Sequence, residues 1–249
     1  MKEVDIYKIP LYYISFERNI DLENDLKSQG FIDINHFKAI DGRKLNVEDL
    51  LRDEIISIRS YQDLKSGREQ LQGIPSLGAI GCSCSHYELW KKCINDNIPY
   101  ITIVEEDADF TKKISKDDID KINNVLSKPR SFYLSELCMG WWNDNDKFFG
   151  SQFYCSSNYV CKQFVDRFFP IDVQLDWYMN YIFELDKSIN KEVFKTITQK
   201  SHKSSIQDLC IKCIMPTNPV PYILLIVLVV LVVIMLIVRR RCIFSDRCK

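Results

Sequence analysis

Four acidic residues follow a short apolar run in the segment Tyr100–Phe110, YITIVEEDADF: Glu105, Glu106, Asp107 and Asp109. Carboxylates gathered at the end of a buried strand repel one another, and a cation usually holds them together. A divalent metal that carries a phosphate ligand suits such a group. Successive side chains on a strand point to opposite faces, so Glu105 and Asp107 share one face and Glu106 takes the other. That reasoning selects Glu105 and Asp107 as the metal pair, provided the strand persists to Asp107. The competing reading is a solvated acidic loop that caps the next helix.

The elements around these acids follow from periodicity and punctuation. Ile6–Ser15 is apolar and β-prone and reads as the first strand. Asp21–Gln29 reads as a helix stopped by Gly30. Phe37–Ile40 reads as a second strand, closed by the turn pair Asp41-Gly42. The pattern then predicts a helix over Leu45–Ser60 and a polar loop over Gln62–Ile74. His86, Leu89, Trp90 and Cys93 recur at helical intervals within a predicted helix, Ile80–Ile94. Tyr100–Val104 is a buried strand, and Phe132–Leu137 and Phe153–Cys155 are further strand candidates. Tyr159–Phe168 and Leu175–Phe183 read as helices separated by Pro170. Strands alternating with helices predict an α/β fold with a parallel or mixed sheet. Ligands of such sheets collect at the carboxyl ends of the strands, where the acids sit.

With 249 residues the chain suffices for one sizeable domain and an appendage. A formal net charge of -1 gives no electrostatic reason to expect nucleic acid as a partner. The C-terminus differs in kind. Tyr222–Val238 has no charge over 17 residues and is followed by Arg239, Arg240 and Arg241. This predicts one C-terminal transmembrane helix over 220–238. The N-terminal residues, interrupted by charges and Pro10, do not read as a signal peptide. The positive-inside rule would put the basic tail in the cytosol; the favoured expectation is the opposite arrangement, a single-pass C-terminal anchor with the main domain facing the cytosol from a host or organelle membrane, or a viral one. Ten cysteines, several in apolar contexts, read as free thiols in a reducing compartment. Cys210 and Cys213 have metal-like spacing but no second pair. Cys242 and Cys248, next to the apolar run, are either palmitoylated or unmodified.

Four blocks, taken in order, resemble glycosyltransferase family 25, which includes lipooligosaccharide-biosynthesis and collagen galactosyltransferases. The first is Tyr13-Ile-Ser-Phe-Glu-Arg18 with Asp21, where Ser15 replaces the usual asparagine. The second is Phe37-Lys-Ala-Ile-Asp41-Gly42-Arg43. The third is Gly78-Ala-Ile-Gly81-Cys82 with Ser85-His86, followed by Val104-Glu-Glu-Asp107, where Glu106 replaces the usual aspartate. The fourth is Pro170-Ile-Asp172-Val-Gln-Leu-Asp176-Trp177. Gln199 and Ser205-Ile206 are similar to the closing segment of that family. The resemblance runs from about residue 10 to 206.

The resemblance implies a GT-A-like mixed sheet flanked by helices, a UDP-sugar donor, a Mn2+ or Mg2+ ion and inverting sugar transfer. The implied organisation is a transferase domain over 1–206, a linker over 207–219, the transmembrane helix over 220–238 and a basic tail over 239–249. On this basis Glu105 and Asp107 hold the metal, and Arg18, Asp41, Gly42, Ser85 and His86 bind the nucleotide donor. Each also has a plain structural reading: a local ion pair for Arg18, a turn for Asp41-Gly42, and core packing for His86. Inversion needs a base for the acceptor hydroxyl, and Asp176 beside the aromatic Trp177 is the candidate. Otherwise Asp172 is an N-cap and Asp176 a first-turn acid. Trp141-Trp142 forms either an acceptor platform or part of the core. The expected function is transfer of a hexose, galactose or glucose, to a glycan or protein hydroxyl. The alternative is a catalytically inactive family descendant with a structural or interaction role.

Overall fold

The computed structural model describes residues 4–67, 72–135, 148 and 150–200. Eight strands are present among these residues: β1 (Leu11–Ser15), β2 (Ile34–Lys38), β3 (Tyr100–Glu105), β4 (Ala108–Asp109), β5 (Ser131–Leu134), β6 (Phe153–Ser157), β7 (Asn190–Val193) and β8 (Thr198–Gln199). Seven α-helices alternate with them: α1 (Ile20–Gln29), α2 (Val47–Arg52), α3 (Ile58–Ser66), α4 (Leu77–Asn95), α5 (Lys116–Leu126), α6 (Asn158–Val165) and α7 (Leu175–Leu185).

Six strands form one mixed sheet in the order β2-β1-β3-β6-β5-β7. β1 runs parallel to β2 and to β3, whereas β6 is antiparallel to both β3 and β5. The carboxyl ends of β1, β2 and β3 therefore lie at one edge, together with the start of β6. β4 and β8 form a separate two-stranded ribbon just beyond the end of β3.

Alternation along the strands divides the core into two. Ile14, Ile101, Ile103, Phe132, Leu134 and Tyr154 pack on the face covered by α4, α6 and α7. Leu11, Tyr13, Val104, Tyr133, Phe153 and Cys155 pack on the other face with residues of α1 and α5. Glu105 continues the 101–103 series, so the pleat turns its side chain toward α4.

Polar side chains start the helices. Asn19, Asn46, Ser57, Ser76 and Ser115 each accept a backbone N–H of the first turn of α1, α2, α3, α4 and α5. Gly30, at φ 113°, ends α1 in a left-handed conformation that favours glycine.

The mixed α/β sheet with flanking helices agrees with expectation, and several boundaries are corrected. The first strand begins only at Leu11, because Ile6–Lys8 forms a 3-10 turn capped by Asp5. The helix expected over Leu45–Ser60 is two helices, α2 and α3, broken at Glu54, which has φ 57°. The predicted loop over Gln62–Ile74 begins inside α3.

The transmembrane helix in the expected fold class, and the single-pass membrane location built on it, are also corrected. No helix among the described residues is long and apolar enough to cross a membrane. The longest helix among the described residues, α4, has 19 residues but carries His86, Glu88, Lys91 and Lys92. The segment 220–238 itself lies outside the described residues, as do Trp141-Trp142, Ser205-Ile206, Cys210, Cys213, Cys242 and Cys248.

Candidate active site

Close backbone packing builds the edge of the sheet first. The loop Ala39–Gly42 leaves β2 and lies directly on the first turns of α4. A Cβ on Gly42 would stand 1.8 Å from the Leu77 carbonyl oxygen, and one on Gly81 would stand 2.4 Å from the Ile40 oxygen. Glycine at both positions is thus a steric requirement of this contact. Ser85 completes the joint: its hydroxyl donates to the Gly81 oxygen at 2.7 Å and accepts the Ile40 N–H at 2.9 Å. It is fully buried, and both of these hydrogen bonds are internal to the fold.

On the β1–β2 side, both guanidinium groups are engaged by carboxylates. Arg18 grips Glu23 in a two-pronged pair, Nε to Oε1 at 2.7 Å and a terminal nitrogen to Oε2 at 2.9 Å. With the Tyr13 hydroxyl also donating to it, Glu23 is held down to about 2. Asp41 caps the 3-10 turn Gly42–Lys44 and pairs with Arg43, whose guanidinium lies 5.1 Å from the Phe16 ring centre. That pairing holds the Asp41 carboxyl below its ordinary range.

On the β3–β6 side lie the acids. Glu105 ends β3 and faces α4, where its Oε1 accepts the Ser151 hydroxyl and stands 3.4 Å from His86 Nε2. The His86 contact is close but is not aligned as a hydrogen bond. Burial pushes Glu105 up, but the His86 imidazole and the Ser151 hydroxyl outweigh it and leave the carboxyl below its ordinary value. His86 is fully buried, stacked on Tyr154 at 5.7 Å between ring centres, and its Nδ1 lies 2.8 Å from the Tyr154 hydroxyl. The same hydroxyl accepts Trp90 Nε1–H at 2.9 Å. His86 and Trp90, four residues apart on α4, thus share one tyrosine oxygen.

Asp107 lies past the strand. β3 stops at Glu105 and the chain turns through Glu106 and Asp107, so the extended geometry assumed from sequence does not reach Asp107. The two carboxylates nonetheless interact: burial first, and the Glu105 charge second, raise Asp107 to about 7. The β4–β8 ribbon positions it. Gln199 Nε2 donates to Asp107 Oδ2, and Lys200 N–H donates to the Asp107 carbonyl at 2.7 Å. The other carboxylate oxygen, Oδ1, is buried and has no hydrogen-bond partner among the described residues.

Asp176 reaches this group from the first turn of α7. Its Oδ2 accepts Gly150 N–H at 3.1 Å and its Oδ1 accepts Trp177 N–H at 2.8 Å. Burial raises its pKa, these backbone donors oppose the rise, and the charge of Glu105 adds to it. Burial pushes the thiol of Cys82, one helical turn before His86, well up, and the nearby charges of Glu105, Asp107 and Asp176 add to the rise. Asp172 is engaged elsewhere, accepting the Ser57 hydroxyl and lying 3.5 Å from Arg59.

Of the residues predicted from sequence, Glu105, Asp107, His86 and Asp176 converge at the end of β3. Arg18, Asp41 and Gly42 lie at the β1–β2 part of the same edge. Ser85 sits beneath, joining the two parts. Cys82, Ser151, Tyr154 and Gln199 were missed as members. Cys82 and Gln199 belong to blocks already singled out, whereas Ser151 and Tyr154 carry no sequence signal.

A cation fits the acids. Asp107 presents a buried oxygen without a partner next to a second carboxylate, and ionising both without a positive charge is unfavourable. Oxygen donors of this kind suit Mn2+ or Mg2+.

Comparison with known proteins agrees with this arrangement. The family model described as glycosyltransferase family 25 (LPS biosynthesis protein) matches residues 8–183. A Glycosyltransferase 25 family member of Drosophila pseudoobscura pseudoobscura is 27% identical over 111 residues, which are 45% of this chain and 17% of that protein. Human Procollagen galactosyltransferase 2 is 29% identical over 94 residues, 38% of this chain and 14% of that protein. The rat protein named "Probable inactive glycosyltransferase 25 family member 3" is 29% identical over 99 residues, 40% of this chain and 16% of that protein. The matched stretch is thus a small part of each of these relatives. With the family pattern covering most of the chain and its blocks meeting at one edge of the sheet, the chain belongs to glycosyltransferase family 25.

Proposed function

We propose that this chain transfers a hexose, galactose or glucose, from a UDP-sugar to a hydroxyl of a glycan or protein, with inversion at the anomeric carbon. The observation that carries the reading is the convergence of Glu105, Asp107 and Asp176 at the carboxyl end of β3. Donor breakdown leaves a diphosphate whose charge must be balanced. Glu105 and Asp107 are the residues to hold Mn2+ or Mg2+, which when bound would neutralise that leaving group. Burial and Glu105 raise Asp107 to about 7, so it is only partly ionised near neutral pH, and an arriving positive charge favours the ionised form. Phe16 follows β1 with the Arg43 guanidinium over its ring, and with Arg18, Asp41 and Gly42 at the same edge of the sheet it is the candidate surface for the nucleoside half of the donor. Asp176 is the base. Burial raises its proton affinity toward the range useful for general-base catalysis, and two backbone N–H groups fix its orientation. Trp177 beside it offers a ring for the acceptor sugar. His86, held by Tyr154, positions Glu105, and Ser85 positions the loop that carries Asp41.

A second reading, an inactive descendant with an interaction role, draws support from Glu105. Its Oε1 is already occupied by Ser151 and lies beside His86. A thermal-shift screen of the full chain against UDP-galactose, UDP-glucose and UDP alone, with and without Mn2+, separates the two. Transfer predicts stabilisation by a UDP-sugar that requires Mn2+. No shift with any nucleotide would leave only the inactive reading.

A further inference from the structure

We infer that Cys82, His86 and Glu105 form a binding site for one soft divalent cation, of which Zn2+ is the fitting kind. Cys82 Sγ, a ring nitrogen of His86 and a carboxylate oxygen of Glu105 all lie within 4.8 Å of one another. Cys82 and His86 are four residues apart and so stand on one face of α4. Glu105 supplies the third corner from β3. Zinc bound tetrahedrally by such atoms separates its ligands by roughly 3.3–3.8 Å, given metal–ligand lengths of about 2.0–2.3 Å. The 3.4 Å between His86 Nε2 and Glu105 Oε1 is already in that range.

A second observation points independently to a ligand. His86 Nε2 is buried and has no hydrogen-bond partner among the described residues. Its other ring nitrogen is held by the Tyr154 hydroxyl at 2.8 Å. One nitrogen fixed by an oxygen and the other left open is how metal-ligating histidines are oriented. With the ion bound, Nδ1–H donates to the Tyr154 oxygen, which has lone pairs for both His86 and Trp90. A sulfur and an imidazole among three ligands favour zinc over magnesium or manganese. The set leaves a fourth position for water or a phosphate oxygen. Binding breaks the Cys82 S–H bond, forms a sulfur–metal bond and releases the proton to solvent, with no change of oxidation state.

This site shares Glu105 with the proposed transfer site, but it needs neither nucleotide nor sugar. The test uses the full chain, stripped with a chelator and titrated with Co2+ in the absence of nucleotide. One ion per chain is expected, with thiolate-to-cobalt charge-transfer absorption. Cys82→Ser should abolish that absorption, and Tyr154→Phe, which removes the support for His86, should weaken affinity about 10–100-fold. Asp107→Asn and the double variant Cys210→Ser/Cys213→Ser should leave the spectrum unchanged. Absence of the band in the wild type, or its survival in Cys82→Ser, would overturn the inference. If Cys82→Ser does not fold, X-ray absorption of the zinc-loaded wild type decides. One sulfur with nitrogen and oxygen neighbours supports the site, and a shell without sulfur overturns it. A missing band leaves the transfer reading intact, whereas a band without any UDP-sugar binding leaves this site intact and removes the other.

Discussion

Replacing Asp107 by asparagine should stabilise the cation-free protein, and only above mildly acidic pH. Burial and the neighbouring Glu105 charge raise the carboxyl from its ordinary 3.8 to about 7. At about 1.4 kcal/mol per tenfold change in proton affinity, ionising Asp107 in the folded state costs up to about 4 kcal/mol. Solvent reaches part of the side chain, which reduces this to about 2–4 kcal/mol. The sign follows from proton binding. Below the unfolded value both states are protonated, and the stability that the raised carboxyl confers is fully present. As pH rises toward 7 only the unfolded chain ionises, and that stability is lost. Urea denaturation of wild type and Asp107→Asn between pH 4.5 and 8, in the presence of a chelator, reads the effect. The two curves should nearly meet at the acid end and diverge by about 2–4 kcal/mol at pH 8, with the variant more stable. A constant difference across the range would mean instead that Asp107 titrates like an exposed carboxylate, without the burial and the Glu105 charge acting on it.

Three further substitutions probe other parts of the account. Tyr154→Phe strands His86 Nδ1 and the Trp90 N–H in the core and should cost about 1–3 kcal/mol in chemical denaturation. Gly42→Ala drives a methyl into the Leu77 carbonyl, a backbone atom that cannot swing away. It should cost about 3 kcal/mol or more and weaken UDP binding measured by calorimetry. Asp176→Asn keeps an acceptor for only one of the Gly150 and Trp177 amides, sets its NH2 against the other, and cannot take a proton. It should lower kcat for transfer about 10²–10⁴-fold while leaving donor affinity within a few-fold, as steady-state kinetics would show.

The elements that carry the site were largely legible in the sequence. The apolar run before Glu105, the helical spacing of His86, Leu89, Trp90 and Cys93, and the stop at Gly30 are local signals, and the structure keeps all three. Helix α5 was not read, although Ile119, Ile122, Val125 and Leu126 follow a helical period. The failure at Asp107 is instructive. Alternation put it beside Glu105 for the wrong reason: a turn brings the two carboxylates together, and Gln199, 92 residues away, fixes one of them. Ser85 shows the converse. Its place in a block suggested ligand contact, whereas its hydroxyl ties two backbone segments together. Ser151 and Tyr154 could not have been found, because serine and tyrosine in a buried strand region look like ordinary core until the fold sets them against Glu105 and His86.

Carboxylates at the end of β3 that support breakdown of a UDP-sugar should make the chain release UDP. The most direct measurement is UDP release from UDP-galactose and UDP-glucose by the full chain with Mn2+, beside Glu105→Ala and Asp107→Ala. The wild type should release UDP, and release should fall to background in both variants. Wild-type release that persists unchanged in both variants, or no release and no binding of either donor, would contradict that role of the carboxylates.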